Sequence, residues 1–114
     1  MKTLIVLNDS PCGTERSYNR LRLAKALGKE DATVTLFLMA DAVACAKSGH
    51  KVPQGFYNIE LMLKSVARNG EVLACGTCMD ARGLADNDIV QGSLRSTMAE
   101  LAERTLAADK VLVF

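Results

Sequence analysis

Apolar and polar positions alternate along this chain in two different rhythms. Leu4-Ile5-Val6-Leu7 is a short unbroken apolar run, the pattern of a strand covered on both faces. The turn formers Asn8-Asp9-Ser10-Pro11-Cys12-Gly13 follow it. Tyr18, Leu21, Ala24 and Leu27 then recur in three-residue steps, which predicts a helix with Thr14 as cap, Glu15 in its first turn and Gly28 as its stop. Val34 to Met39 reads as a second strand. Asp41 reads as the cap of a short helix through Val43, Ala44 and Lys47. Ser48 to Tyr57, with Gly49, Pro53 and Gly55, reads as a loop long enough to serve a binding surface.

Asn58 is the expected cap of a helix with the apolar stripe Ile59, Met62, Leu63 and Val66, ended by Asn69-Gly70. Glu71 to Cys75 reads as the third strand. Between Asp86 and Gly92 the pattern is mixed, and Asp88-Ile89-Val90 fits either a short strand or one helical turn. Leu94, Met98, Leu101, Ala102, Thr105 and Leu106 predict a final helix capped by Ser93 or Ser96. Lys110 to Phe114 closes the chain as a strand. Strands alternating with helices predict parallel βαβ units in an α/β three-layer α/β/α sandwich, with right-handed crossovers placing helices on both faces.

Composition narrows the function classes. The 114 residues fit one domain, 1–114. The net charge is +1, so no charge excess points to nucleic acid or to an anionic membrane as partner. Arg16, Arg20, Arg22, Lys25 and Lys29 read as the solvated face of the first helix. No apolar run reaches the ~18 residues of a membrane span, and Thr3 to Asn8 has no leader-like pattern, so a cytoplasmic location is expected. There, Cys12, Cys45, Cys75 and Cys78 rest as thiols.

Candidate chemistry gathers where an open parallel sheet binds ligands, at the carboxyl ends of its strands. Three turns are expected to converge there: Asn8 to Gly13, Ala40-Asp41 and Cys75 to Cys78. Cys75 closes its strand. The backbone N–H groups of the following turn, with Arg82 nearby, are expected to stabilise a thiolate. The Cys75-Gly76-Thr77-Cys78 motif leaves several readings open: a reactive pair, two thiols that merely pack, a zinc half-site, or a thioredoxin-like dithiol. Against zinc, Cys12, Cys45 and His50 stand at no recognisable ligand spacing, and no metal is expected. Against thioredoxin, the motif follows the third strand and not an early one. Cys12 is read as a supporting residue, Cys45 as core, His50 as an exposed histidine and Asp41 as a cap. The turn after the first strand lacks the glycines and lysine of a P-loop.

The sequence resembles the DsrE-like family of sulfur-relay proteins, and especially its small YchN-type branch. The resemblance runs through Leu4 to Gly13, Leu21-Arg22-Leu23-Ala24, Leu36 to Val43, Tyr57-Asn58-Ile59, Cys75 to Gly83 and Ala108 to Phe114. It implies a mainly parallel five-stranded sheet and a homo-oligomer, trimer or hexamer. It also implies that the cysteine seven residues before an Arg-Gly pair, here Cys75 before Arg82-Gly83, accepts a persulfide from a sulfur-donor protein and hands it to an acceptor. Cys78 stands where several relay members have no cysteine, which leaves room for a dithiol role. No cofactor is implied. Three functions are carried forward: a sulfurtransferase-type persulfide carrier, a thiol-disulfide redox protein using Cys75 and Cys78, and a non-catalytic assembly subunit.

Overall fold

The computed structural model describes residues 1–11, 15–52 and 58–114. Five strands form one sheet: β1 (Lys2–Leu7), β2 (Thr33–Leu38), β3 (Glu71–Cys75), β4 (Ser93–Ser96) and β5 (Lys110–Val113). Their order is β4-β3-β2-β1-β5 and every pairing is parallel. The helices are α1 (Arg16–Lys29), α2 (Ile59–Asn69), α3 (Gly76–Ala81) and α4 (Met98–Ala107), with 3-10 helices at Ala40–Ala46 and Asp86–Asp88.

From β1 to β4 the chain steps across the sheet in one direction, so right-handed crossovers keep α1, α2 and α3 on one face. The connection from β4 to β5 returns to the far edge, which puts α4 on the opposite face. Residues paired in register share a face. Leu4, Thr35 and Glu71 are therefore neighbours under α4, as are Val6, Phe37, Leu73 and Leu94. Arg104 of α4 confirms the side, donating to the Glu71 carboxylate at 2.7 and 2.9 Å.

The three central strands carry the core, with Leu4, Ile5, Leu36, Phe37, Leu38 and Leu73 buried. They face helices on one side and a partly covered sheet surface on the other. Helix α2 buries Ile59, Leu63 and Val66, and its Asn58 cap accepts the Leu61 N–H at 3.2 Å as its sequence predicts. Gly70 ends α2 where a β-carbon would collide with the Val34 carbonyl oxygen, so that only glycine lets helix and β2 approach so closely.

Several sequence expectations shift. Helix α1 runs through Gly28 to Lys29 with Glu15 as its N-terminal flanking residue, because a single glycine costs a helix only about 1 kcal/mol and does not by itself end it. Thr14 lies outside the described residues. The guanidinium of Arg20 stacks on the Phe114 ring at 3.7 Å and is not simply solvated. The final helix begins at Met98 with Thr97 as its cap, accepting the Glu100 N–H at 3.1 Å. Ser93 to Ser96 belongs instead to β4. Leu94 happens to fall in phase with the helix stripe, but its pairing with Leu73 of β3 makes it part of the sheet's edge strand. Asp86 to Asp88 is a 3-10 turn, followed by an isolated antiparallel bridge between Ile89 and Lys47.

Candidate functional site

The chain leaving β3 turns toward the α1–α2 face, and the chain leaving β4 turns toward α4. The carboxyl ends of these two neighbours therefore form the point at which an open α/β sheet opens a crevice. Cys75 and Ser96 are the paired residues at this point. Cys75 ends β3 in extended conformation, and the next residue is already helical. Glycine at 76 leaves room for a side chain of the neighbouring strand. The Arg95 side chain lies over it, with Nε 2.8 Å from where a β-carbon would stand. Arg95 is held there by Asp80 at 2.7 Å and Asp86 at 3.3 Å.

The Cys75 thiol is buried, 6% exposed, and Cys78 is half-buried. Both are free thiols. Burial pushes the Cys75 thiol above its ordinary value. The backbone N–H of Cys78 pulls it down, the Cys78 thiol, within hydrogen-bonding reach, raises it through its hydrogen bond and charge, and the Thr77 N–H pulls it down again. Burial wins. The sequence expectation of a thiolate favoured at Cys75 is thereby corrected: the turn's N–H groups are in place, but desolvation in the core outweighs them.

The second correction concerns Arg82. Its charge is not directed at Cys75. Nε and Nη2 reach one Asp41 oxygen at 3.1 and 2.8 Å, and Nη1 donates to the Cys78 carbonyl at 3.1 Å. Asp41 in turn is not a helix cap. Met39 occupies that position, and the Asp41 carboxylate projects to Arg82 from the first turn of the 3-10 helix. Gly83 adopts a left-handed φ of 69° at the turn that ends α3, and the Gly83 N–H donates to the Asp80 carbonyl at 3.2 Å.

The structure thus brings together Cys75, Cys78, Asp41, Arg82 and Gly83. Cys12 lies outside the described residues. Cys45 is fully buried on the 3-10 helix, as core. His50 is half-buried, and its Nε2 is 3.1 Å from the Ala44 carbonyl. Among the described residues no cluster of three or more His, Cys, Asp or Glu side chains is arranged to hold a metal ion. Sequence reasoning missed the Ala40 amide, which donates to the Cys78 sulfur at 3.2 Å. An alanine with φ 51° carries no sequence signal.

The profile of the DsrE/DsrF-like family matches residues 1–114. The chain belongs to that family. It is 44% identical to the protein YchN of Escherichia coli K12 over 99% of this chain and 98% of that protein. An uncharacterized protein of Methanopyrus kandleri is 34% identical over 96% of this chain and 91% of its own length. The crystal structure of Escherichia coli YchN superposes with a TM-score of 0.93, covering 100% of this chain and 99% of that one. A protein of unknown function from Methanobacterium thermoautotrophicum shares the fold at a TM-score of 0.77 and 10% identity. Among the described residues no helix is long and apolar enough to cross a membrane.

Proposed function

We propose that this protein is a cytoplasmic sulfur carrier of the relay type, holding sulfur as a persulfide on Cys75. The observation that carries this reading is the position of Cys75: a free thiol closing a strand at the sheet's crevice, with a second free thiol three residues on in the helix that follows. Membership of the DsrE/DsrF-like family supports it. Overall, a donor R–S–SH gives its outer sulfur to Cys75, leaving R–SH and Cys75–S–SH. An acceptor thiolate then takes that outer sulfur and regenerates the Cys75 thiol. The exchange needs no metal and no nucleotide. A shielded cysteine suits a carrier, because a persulfide exposed to solvent thiols is stripped of its sulfur.

The placement of the two free thiols three residues apart at the start of α3 also favours a second reading, a thiol-disulfide redox protein in which Cys75 and Cys78 form a reversible disulfide. Intact-mass analysis after incubation with a persulfide donor separates the two. The carrier gains one sulfur atom per subunit, mapped to Cys75. A loss of two hydrogens with no sulfur gained supports the redox pair and refutes the carrier.

The reading includes a homo-oligomer, trimer or hexamer. Leu94, Met98, Leu106, Val111 and Val113 are exposed apolar side chains on α4 and on the strands at its two flanks. Helix α4 has no fully buried residue. A second copy of the chain is the partner expected to cover this face.

A further inference from the structure

The two thiols of the site are built differently. Cys75 is enclosed, whereas Cys78 is half-buried and receives the Ala40 N–H at 3.2 Å. This N–H opens a 3-10 turn, so no carbonyl of that turn can accept it. Ala40 holds φ at 51°, a left-handed conformation that an alanine rarely adopts. In this conformation the amide is directed at sulfur. Arg82 fixes the arrangement from both sides, since one guanidinium binds the carbonyl of Cys78 itself and the carboxylate of Asp41, the residue next to Ala40. The donor and the sulfur are thus tied to each other through a single side chain.

We propose that Cys78 is the receiving thiol and Cys75 the storage thiol of the relay, with Ala40, Asp41 and Arg82 positioning Cys78. This rests on the carrier reading above. In the first step the Cys78 thiolate attacks the outer sulfur of R–S–SH. A sulfur–sulfur bond forms to Cys78, the donor's own sulfur–sulfur bond breaks, and R–S⁻ leaves and takes a proton from solvent. In the second step Cys75, its proton released to solvent, attacks the outer sulfur of Cys78–S–SH. That bond breaks and the Cys78 thiolate is regenerated. The sum is R–S–SH plus Cys75–SH giving R–SH plus Cys75–S–SH, with no oxidant or reductant consumed. The Ala40 N–H meets negative charge on the Cys78 sulfur in both steps, first as nucleophile and then as leaving group. Cys75 flanks the start of α3 and Cys78 stands three residues on, so both lie on one side of its first turn and the second step is intramolecular.

Two measurements test this. In brief iodoacetamide labelling at pH 7, followed by peptide mapping, Cys78 labels about tenfold faster than Cys75. Arg82→Met and Asp41→Asn each slow Cys78 while Cys75 labels at an unchanged or higher rate. Simple loosening of the fold would instead speed both thiols. Cys75 labelling ahead of Cys78, or undiminished Cys78 labelling in both variants, overturns the cradle. In rapid-quench loading with glutathione persulfide, sulfur is found on Cys78 before Cys75. Cys78→Ser loads about tenfold more slowly, and Cys75→Ser retains its sulfur on Cys78. Loading of Cys78→Ser at the wild-type rate overturns the proposed order. If the wild type takes up no sulfur at all, the carrier reading fails, and the labelling rates still decide the roles of Ala40, Asp41 and Arg82.

Discussion

At the scale of single residues, the site is governed by competition between burial and local dipoles. Cys75 has N–H groups ahead of it and apolar strands around it, and the apolar surroundings win. The consequence can be worked out for stability. A thiol whose folded pKa is raised above its unfolded value favours the folded state while it is protonated. That contribution is fully present below the unfolded value, ~8.5, and is lost as pH rises through the raised folded value. Denaturant unfolding of the reduced protein is therefore expected to show stability falling above about pH 8.5. In Cys75→Ser the fall is smaller, because serine does not titrate there. An equal alkaline fall in both proteins would show that Cys75 is not the group responsible. The same burial argument ranks the thiols by reactivity. Cys75, at the carboxyl end of β3, should alkylate faster than the fully enclosed Cys45, and peptide mapping of a brief exposure decides it.

At the scale of elements, two junctions hold the layers in place. Helix α2 meets β2 at Gly70, where a β-carbon would collide with backbone and not with a movable side chain. Gly70→Ala must displace the helix end or the strand, and is expected to cost about 2 kcal/mol in chemical denaturation. A variant as stable as the wild type would mean that the junction yields freely. On the other face, Arg104 grips Glu71 with two donors, and Thr35 donates to the same carboxylate at 3.1 Å. The Arg104 hydrogen bond, opposed by burial, holds the Glu71 carboxyl below its ordinary value. A depressed acid stabilises the fold above its unfolded pKa, and this contribution is lost as pH falls through the lower folded value. Glu71→Gln is expected to cost about 1 kcal/mol near neutrality, the pair being one-third exposed. It should also flatten the acid limb of the stability profile. An unchanged acid limb would assign that pH dependence to other carboxylates.

At the scale of the whole molecule, the sheet is covered unevenly. Three successive crossovers place α1, α2 and α3 on one face, and the return crossover leaves α4 as the one helix on the other among the described residues. Leu94, Val111 and Val113 point to that thinly covered face from the two edge strands, since each pairs in register with residues lying under α4. Leu106 is 89% exposed and Leu94 is 60% exposed. Light scattering at micromolar concentration is expected to give the mass of a trimer or hexamer. Leu94→Glu combined with Leu106→Glu should shift it toward monomer, because charges cannot be buried there unpaired. A monomeric wild type would contradict the assembly, and an unmoved oligomer in the double variant would place the interface elsewhere.

The sequence by itself determined the order and type of most elements. The unbroken apolar runs at Leu4 to Leu7 and Val72 to Cys75, the Asn58 cap and the Gly70 stop are local signals, set by covalent preference and by which residues must leave water. They also placed Cys75 at a strand's carboxyl end, because a strand's direction and length follow from its pattern. What lay beyond the sequence depended on contacts distant in the chain. Leu94 fits a helix stripe by spacing alone, and only pairing with β3 makes Ser93 to Ser96 a strand. Asp41 and Arg82 are 41 positions apart, and the fold turns a presumed cap and a presumed thiolate partner into one ion pair. The Cys75 thiol is raised because the folded core removes water from it, and the Ala40 N–H reaches Cys78 from 38 positions away. Local pattern fixes where chain directions and polar groups lie along the sequence. Desolvation and long-range hydrogen bonding exist only once the layers have packed, and these determine which sulfur is enclosed and which is held by a donor.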